Sequence, residues 1–391
     1  MKTKYQVLDV RLSGKNKEIQ VIIITTQCLA PKIGGIESLM TGMAEAMAKR
    51  GIEVLVLADG KAHESDNKQK YKIKRFTGWK PLRRLAKARY VEKICNSKNV
   101  KAIYADSWKS IEYLKKYRKK ILVLAHGTEI PKQYWTIMLD LMRFKKNRII
   151  SSYKGVYKIL ANSSYTKDLM QASLKIDTNL IKIIHPGIDV YDDFITEEDK
   201  KNVSDIIGKN SPIITTLARV EERKGHIFIL NALPKIKEKF PNVLYLIAGK
   251  GPYLETIKQL TKKMNLVKNV KFLGWITEPE KSLILKQSDL FVMTPTTVGE
   301  SVEGFGMAYI DASFHGVASI GSDSGGVSDA ILDNETGIIC EAGNQKMITE
   351  KILLLLENKK LRESMGSNGK LRANENYAWD KKIIEYLDAS K

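Results

Sequence analysis

Along this chain, short apolar runs rich in β-branched residues alternate with stretches whose apolar positions recur every three to four residues. Residues 20–26 (QVIIITT) are continuously apolar or β-branched, the pattern of a parallel strand buried on both faces. A loop with Pro31, Gly34 and Gly35 follows, and then Ile36, Leu39, Met40, Met43 and Met47 fall at helical spacing. Gly51 ends that helix, and residues 53–58 (EVLVLA) read as the next strand. The result is a βαβ unit, and such units build parallel, doubly wound sheets. The rhythm predicts further strands at 100–104, 121–125, 158–161 and 182–184 and a helix at 108–117. Residues 189–211, acidic and then mixed, read as a bridge between domains. A second series then predicts strands at 213–217, 243–248, 270–273, 290–293, 318–321 and 338–340. Helices at 226–240, 254–264, 281–287, 305–315, 347–358, 360–374 and 380–387 complete it. The expected class is α/β, with two Rossmann-like doubly wound domains.

Composition agrees with two large cores: 391 residues, 43% of them apolar, exceed one ordinary domain. The three cysteines, Cys28, Cys95 and Cys340, are far apart and match no metal or disulfide spacing, which suits a reducing compartment. No apolar run approaches the ~18 residues of a spanning helix. Residues 1–18 are polar and basic and show no secretory signal. Charge changes the picture more. Residues 1–190 hold 38 Lys and Arg against 16 Asp and Glu, whereas the remainder hold 27 against 28. A first half this basic suggests an anionic partner: a membrane surface, a phosphorylated substrate or nucleic acid.

Ligands of open α/β sheets bind beyond the carboxyl ends of the strands, so those loops are where chemistry is expected. After the first strand, Gly34 and Gly35 lead into a helix whose amides can approach a phosphate. His126-Gly127 follows strand 121–125, where it can face a crevice and donate to a sugar hydroxyl or an oxyanion. Arg219, Arg223 and Lys224 cluster after strand 213–217 and could stabilise a departing diphosphate. Gly249 and Lys250 follow strand 243–248 and could line a nucleotide site. The richest stretch is 295–311, PTTVGESVEGFGMAYID. Glu303 can accept from sugar hydroxyls, and the amides of Gly304, Phe305 and Gly306 precede a helix. Asp311 lies eight residues on, about two turns along and on nearly the same face. A further glycine pair, Gly325-Gly326, follows strand 318–321.

Taken in order, these loops resemble the retaining glycosyltransferases of family 4, which have the GT-B fold, from about residue 20 to residue 387. The family signature is a Glu, seven residues and a second Glu in an E-G-F-G context; here Glu303 fills the first position and Asp311 the second. Other matches are Gly34-Gly35, His126-Gly127, Asn162-Ser163, residues 186–189 (PGID), Arg219 with Lys224, Gly249 and Gly325-Gly326. The resemblance implies that Arg219 and Lys224 bind the donor diphosphate and Glu303 the donor sugar, assisted by the amides of 304–306. It gives the ribose to the second acidic position, the sugar's far side to His126, and closure over the phosphates to Gly34-Gly35. It implies retention without an essential metal or other cofactor, and no Asp-x-Asp motif is present. Asp311 is one methylene shorter than the family's Glu, so it must reach a ribose by a small shift or through water. The family's later G-G-x-x-E pattern ends here in Asp329.

The expected division is therefore 1–195 for the acceptor, 196–375 for the nucleotide sugar, and a helix in 376–391 that returns to the first domain. The expected reaction moves a hexose from GDP-mannose or a UDP-sugar to a lipid-linked or glycan acceptor in bacterial cell-surface polysaccharide synthesis. Residues 301–308 (SVEGFGMA) resemble mannosyltransferases that extend lipid-anchored glycans. Residues 80–93 and 143–148, with Tyr134 and Trp135, would meet an anionic membrane, placing the protein peripherally at the inner face of the cytoplasmic membrane. The alternatives are a polyanion- or nucleic-acid-binding protein and a nucleotide-sugar epimerase or phosphorylase on the same fold. The basic half carries no recognition-helix motif for nucleic acid, and the oligomeric state is not readable.

Overall fold

A computed structural model describes residues 20–32, 34–130, 139–189 and 195–391. Two parallel sheets carry the molecule. The first comprises β1 (Val21–Thr26), β2 (Glu53–Asp59), β3 (Lys72–Phe76), β4 (Val100–Ala105), β5 (Ile121–Ala125), β6 (Lys158–Ala161) and β7 (Ile181–Ile183). Its spatial order is β3-β2-β1-β4-β5-β6-β7. The second comprises β8 (Ile213–Leu217), β9 (Leu244–Ala248), β10 (Val270–Gly274), β11 (Leu290–Val292), β12 (Ser319–Ser322) and β13 (Gly337–Cys340). Its order is β10-β9-β8-β11-β12-β13. The order reverses between β1 and β4 in one sheet and between β8 and β11 in the other. Doubly wound sheets open a crevice at such a switch point.

Most strands are apolar on both faces; the edge strands of the first sheet differ, β3 with exposed Lys72 and Lys74 and β7 with exposed Lys182. Helices pack on both faces of each sheet. Ile22, Ile24 and Val56 meet Met40, Met43 and Met47 on one side, and Ile23 and Ile103 meet Ala88 and Val91 on the other. The predicted helix at 108–117 is shorter, ending at Ile111. The predicted bridge 189–211 contains a helix, Glu197–Ile207, whose Val203 and Ile207 pack against β9 residues Leu244 and Leu246.

The last helix, Trp379–Asp388, returns to the first sheet's core. Tyr104 donates to the Tyr386 carbonyl at 2.6 Å. Trp379 wedges between Gly42 and Gly187, where an added Cβ would lie 2.2 Å and 2.5 Å from the indole. Glycine at both positions is what lets the crossing helix seat.

His226 opens the helix His226–Lys239 fully buried, and neither ring nitrogen has a hydrogen-bond partner among the described residues. Burial, reinforced by Lys224, pushes its pKa down to about 4. An unfolded His protonates near its ordinary 6.5, so between 6.5 and about 4 the unfolded chain binds the extra proton. Stability at this site therefore rises with pH across that window. His226→Leu flattens the slope, as urea melts at pH 4.5 and 7 would show.

Candidate active site

A cleft of about 840 Å³ separates the two sheets' carboxyl edges. Lys224 and Arg223 come from the loop after β8, and Glu303 from the loop after β11, so they meet across the second sheet's switch point. The short 3₁₀ turn Glu222–Lys224 aims both cations at Glu303. The Lys224 ammonium is in direct contact with the Glu303 carboxylate, and the Arg223 guanidinium is 3.3 Å from the same oxygen. Burial pushes the Glu303 carboxyl up, but Lys224 and Arg223 outweigh it and hold the group below its ordinary range. It is an anion at neutral pH.

Arg219, singled out with Lys224, reaches neither: its side chain is largely exposed at the cleft wall and pairs with Glu221 at 2.8 Å. Arg223 pairs with the other Glu221 oxygen at 3.0 Å. Three cations thus share two carboxylates, leaving one net positive charge facing the cleft. That surplus suits a diphosphate.

The Glu303-Gly304 peptide is gripped from both sides. The Gly326 amide donates to the Glu303 carbonyl at 2.9 Å, and the Ser163 hydroxyl donates to the Gly304 carbonyl at 2.7 Å. A Cβ on Gly304 would lie 2.2 Å from the His126 carbonyl oxygen, and one on Gly326 2.2 Å from the Gly304 carbonyl. Backbone therefore approaches backbone at the seam between halves, a function that only glycine fills here. Gly306, at φ +98°, turns the chain into the helix Met307–Phe314. Phe305 is buried and stacks on His185 with ring centres 5.2 Å apart.

From the first half, His126 lines the cleft, its Nε2 2.8 Å from the Asp106 carbonyl. Gly34 and Gly35 start the helix Gly35–Lys49 on the opposite wall, and a Cβ on Gly35 would lie 3.5 Å from the Met307 sulfur. The predicted site residues therefore do converge, with two departures. Gly249 lines the cleft, but its close approach is to the Ala218 carbonyl, and Lys250 stands exposed beside Gly274 instead of on the cleft wall. Asp311 reaches the cleft already paired, its Oδ1 2.9 Å from the Lys281 ammonium.

Two features escaped the reading of the sequence. Lys281 is one. The other is a clasp between the halves at Asp329, which accepts from the Ser164 amide at 2.8 Å, from the Ser164 hydroxyl and from His185 Nε2 at 2.9 Å. Burial raises the Asp329 carboxyl, but His185 and Ser164 bring it below its ordinary range. Its contribution is full above the ordinary pKa of 3.8 and is lost as pH falls below that. Asp329→Asn should cost about 1–3 kcal/mol, read as a lower urea midpoint at pH 7.

Tyr134 and Trp135 lie outside the described residues, as do residues 1–18. In the described part of the basic half, exposed Trp79 and Leu82 border the helix Lys80–Ser97, with Lys80, Arg89 and Lys93 also exposed. Phe144 is exposed as well, with Arg148 5.6 Å from its ring centre. No described helix is long and apolar enough to cross a membrane. Among the described residues no group of three or more His, Cys, Asp or Glu is placed to hold a metal ion.

Each half matches a family model: Glycosyltransferase Family 4 over residues 33–191 and Glycosyl transferases group 1 over residues 197–372. With the two-sheet fold and the cleft between, the chain belongs to the family 4 glycosyltransferases of GT-B architecture. It is similar to a GDP-mannose-dependent α-(1-6)-phosphatidylinositol monomannoside mannosyltransferase of Mycolicibacterium smegmatis, at 29% identity over 67% of each chain. A GDP-mannose-dependent enzyme acting on the monoacylated form, from Corynebacterium glutamicum, is 24% identical over 92% of this chain and 94% of its own. Among solved structures, Anabaena HepE in complex with UDP superposes with a TM-score of 0.76 at 18% identity, covering 95% of this chain and all of that one.

Proposed function

We propose that this glycosyltransferase moves a hexose, with retention and without a metal, from a nucleotide-diphospho-sugar to a hydroxyl of an anionic, lipid-linked or glycan acceptor in cell-surface polysaccharide synthesis. The observation that carries the reading is the Glu303 carboxylate held between Lys224 and Arg223 at the switch-point crevice. In the proposed reaction the bond from the anomeric carbon to the diphosphate breaks while the bond to the acceptor oxygen forms on the same face. The acceptor's proton passes to the departing diphosphate oxygen. Lys224, Arg223 and Arg219 stabilise the charge that develops on that leaving group. Glu303 orients two of those cations and accepts from the sugar's hydroxyls. His126 and Gly34-Gly35 close the cleft from the acceptor half and exclude water.

The basic half supports an anionic surface as the acceptor's location, peripheral to the inner face of the cytoplasmic membrane. Trp79 and Leu82 offer apolar anchors beside Lys80, Arg89 and Lys93, and each such cation near an anionic surface is worth about 1 kcal/mol. The full chain should co-sediment with vesicles containing phosphatidylglycerol, release at high salt and ignore neutral vesicles. Trp79→Ala with Lys80→Ala should weaken that binding about tenfold or more. Proton NMR of the transferred sugar, in buffer containing EDTA, tests the reaction: the donor's anomeric configuration is expected in the product. An inverted product, or loss of turnover with chelator, overturns retention or metal independence respectively.

A further inference from the structure

The carboxyl ends of β1, β4 and β5 meet at one residue. Asp106, directly after β4, is buried, and its amide, carboxylate and carbonyl are all in use. The amide donates to the Thr25 carbonyl of β1 at 3.2 Å. The carboxylate accepts from the Gln27 amide, just past β1, at 2.7 Å and from the Ser110 hydroxyl at 2.6 Å, with the Thr26 hydroxyl 3.0 Å away. The carbonyl lies 2.8 Å from Nε2 of His126, directly after β5. These three strands are neighbours in the order β1-β4-β5, so Asp106 spans the first sheet's switch point and reaches the loop beyond it.

A carbonyl oxygen only accepts, so His126 Nε2 carries a hydrogen. In a neutral imidazole the other nitrogen then has none and can only accept. The rest of His126 is held as well. Its amide donates to Glu129 Oε1 at 2.8 Å, and its carbonyl is the oxygen that Gly304 packs against. Among the described residues Nδ1 has no hydrogen-bond partner, and His126 lines the cleft. We propose that Asp106 is a positioning residue that locks His126 as the Nε2–H tautomer, so that His126 meets the donor as an acceptor for a sugar hydroxyl; the choice of that partner rests on the donor-site reading above. The direction is the reverse of the one the sequence suggests. A His at a strand end can donate to an oxyanion, but here the donating atom is spent on backbone. The neutral ring therefore adds nothing to the charge stabilisation supplied by Lys224 and the arginines. One short side chain with about four lone-pair sites serves both loops. Asp106→Ala leaves the Gln27 amide and the Ser110 hydroxyl without their acceptor and loosens the turn that presents the carbonyl. Asp106→Asn keeps an oxygen for the amide, and the hydroxyl can turn to accept from its N–H.

Long-range proton–nitrogen NMR spectra of the full chain with labelled histidine test this. The chain has five histidines, and the signals of His126 are those lost in His126→Asn. Wild type is expected to show a protonated Nε2 and a bare Nδ1. Nδ1 alone should move upfield when GDP-mannose, UDP-glucose or UDP-N-acetylglucosamine binds, and stay in place with GDP or UDP. Asp106→Ala should mix the tautomers and lower turnover about ten- to a hundredfold at unchanged nucleoside diphosphate affinity. Asp106→Asn should recover most of both. A protonated Nδ1 in the wild type, an Nδ1 that ignores a bound nucleotide sugar, or a folded Asp106→Ala chain with wild-type tautomer and turnover overturns the inference. The wild-type spectra decide it even where Asp106→Ala does not fold. Failure of every nucleotide sugar to bind overturns the donor-site reading instead, and the tautomer in wild type and variants still decides the role of Asp106.

Discussion

Glu303→Gln lowers the turnover number about 10²–10³-fold while nucleoside diphosphate binding holds or tightens. The side chain is nearly isosteric, so shape survives and charge does not. Lys224 and Arg223 both rest on one Glu303 oxygen, and an uncharged amide oxygen, though still an acceptor, holds them less firmly. Donors held loosely lose the advantage of preorganisation, worth about 10²–10³ for one group. The site meanwhile gains positive charge, which favours a diphosphate. Removing one partner of a buried ion pair also leaves the other uncompensated, so the folded state should lose about 3 kcal/mol. The sign of the pH effect follows from the depressed carboxyl. In wild type the ion pairs' contribution is complete above the ordinary carboxylate pKa of 4.5 and is lost as pH falls below it. The variant should lack that acid-dependent component. Steady-state kinetics with calorimetry separates the two effects: a simple collapse of the site would weaken nucleotide binding too.

Gly304→Ala produces the second large effect by a different route. A methyl group there meets the His126 carbonyl oxygen at 2.2 Å, and that oxygen belongs to the first half's backbone. Ordinary contact needs about 1 Å more, so the halves must part or the Glu303 loop must tilt. A displacement of that size costs about 10² in rate when it misplaces reacting groups. Lys224, Arg223 and Asp311 all belong to the second half, so nucleoside diphosphate affinity should change little. Turnover down about a hundredfold at near-normal nucleotide affinity is the expected signature. Equal losses of both would mean that the seam holds the second half's own fold.

These effects depend on how residues distant in sequence come together, which is where the sequence was legible only in part. Strands β5, β6 and β8 have the bounds their apolar and β-branched runs predict, because a strand covered on both faces is built mostly of such residues. Strand β3 escaped because it lies at the sheet edge and keeps its lysines in water. The helix Lys80–Ser97 read as a charge cluster because few of its residues are buried: among them Lys87 pairs with Asp59 at 2.7 Å. The site loops were legible because glycines and charges at strand ends are rarely decorative in a doubly wound sheet. What they could not disclose was aim. Arg219, directly off the strand end, is the arginine the sequence favours, yet the 3₁₀ turn at 222–224 makes Arg223 the one that faces Glu303. Lys281 lies thirty positions from Asp311 and Ser164 lies 165 from Asp329, so neither pairing leaves a local pattern. The shortened Asp311, a departure in sequence, makes sense beside the lysine that holds it.

The most direct measurement is release of nucleoside diphosphate from GDP-mannose, UDP-glucose and UDP-N-acetylglucosamine by the full chain and by Glu303→Gln. The wild-type chain should turn over one of these donors, and Glu303→Gln should still bind that nucleotide yet release it at least about a hundredfold more slowly. Wild-type release rates in a folded Glu303→Gln chain, or no binding and no release with any donor by the folded wild type, would contradict the assignment of this cleft.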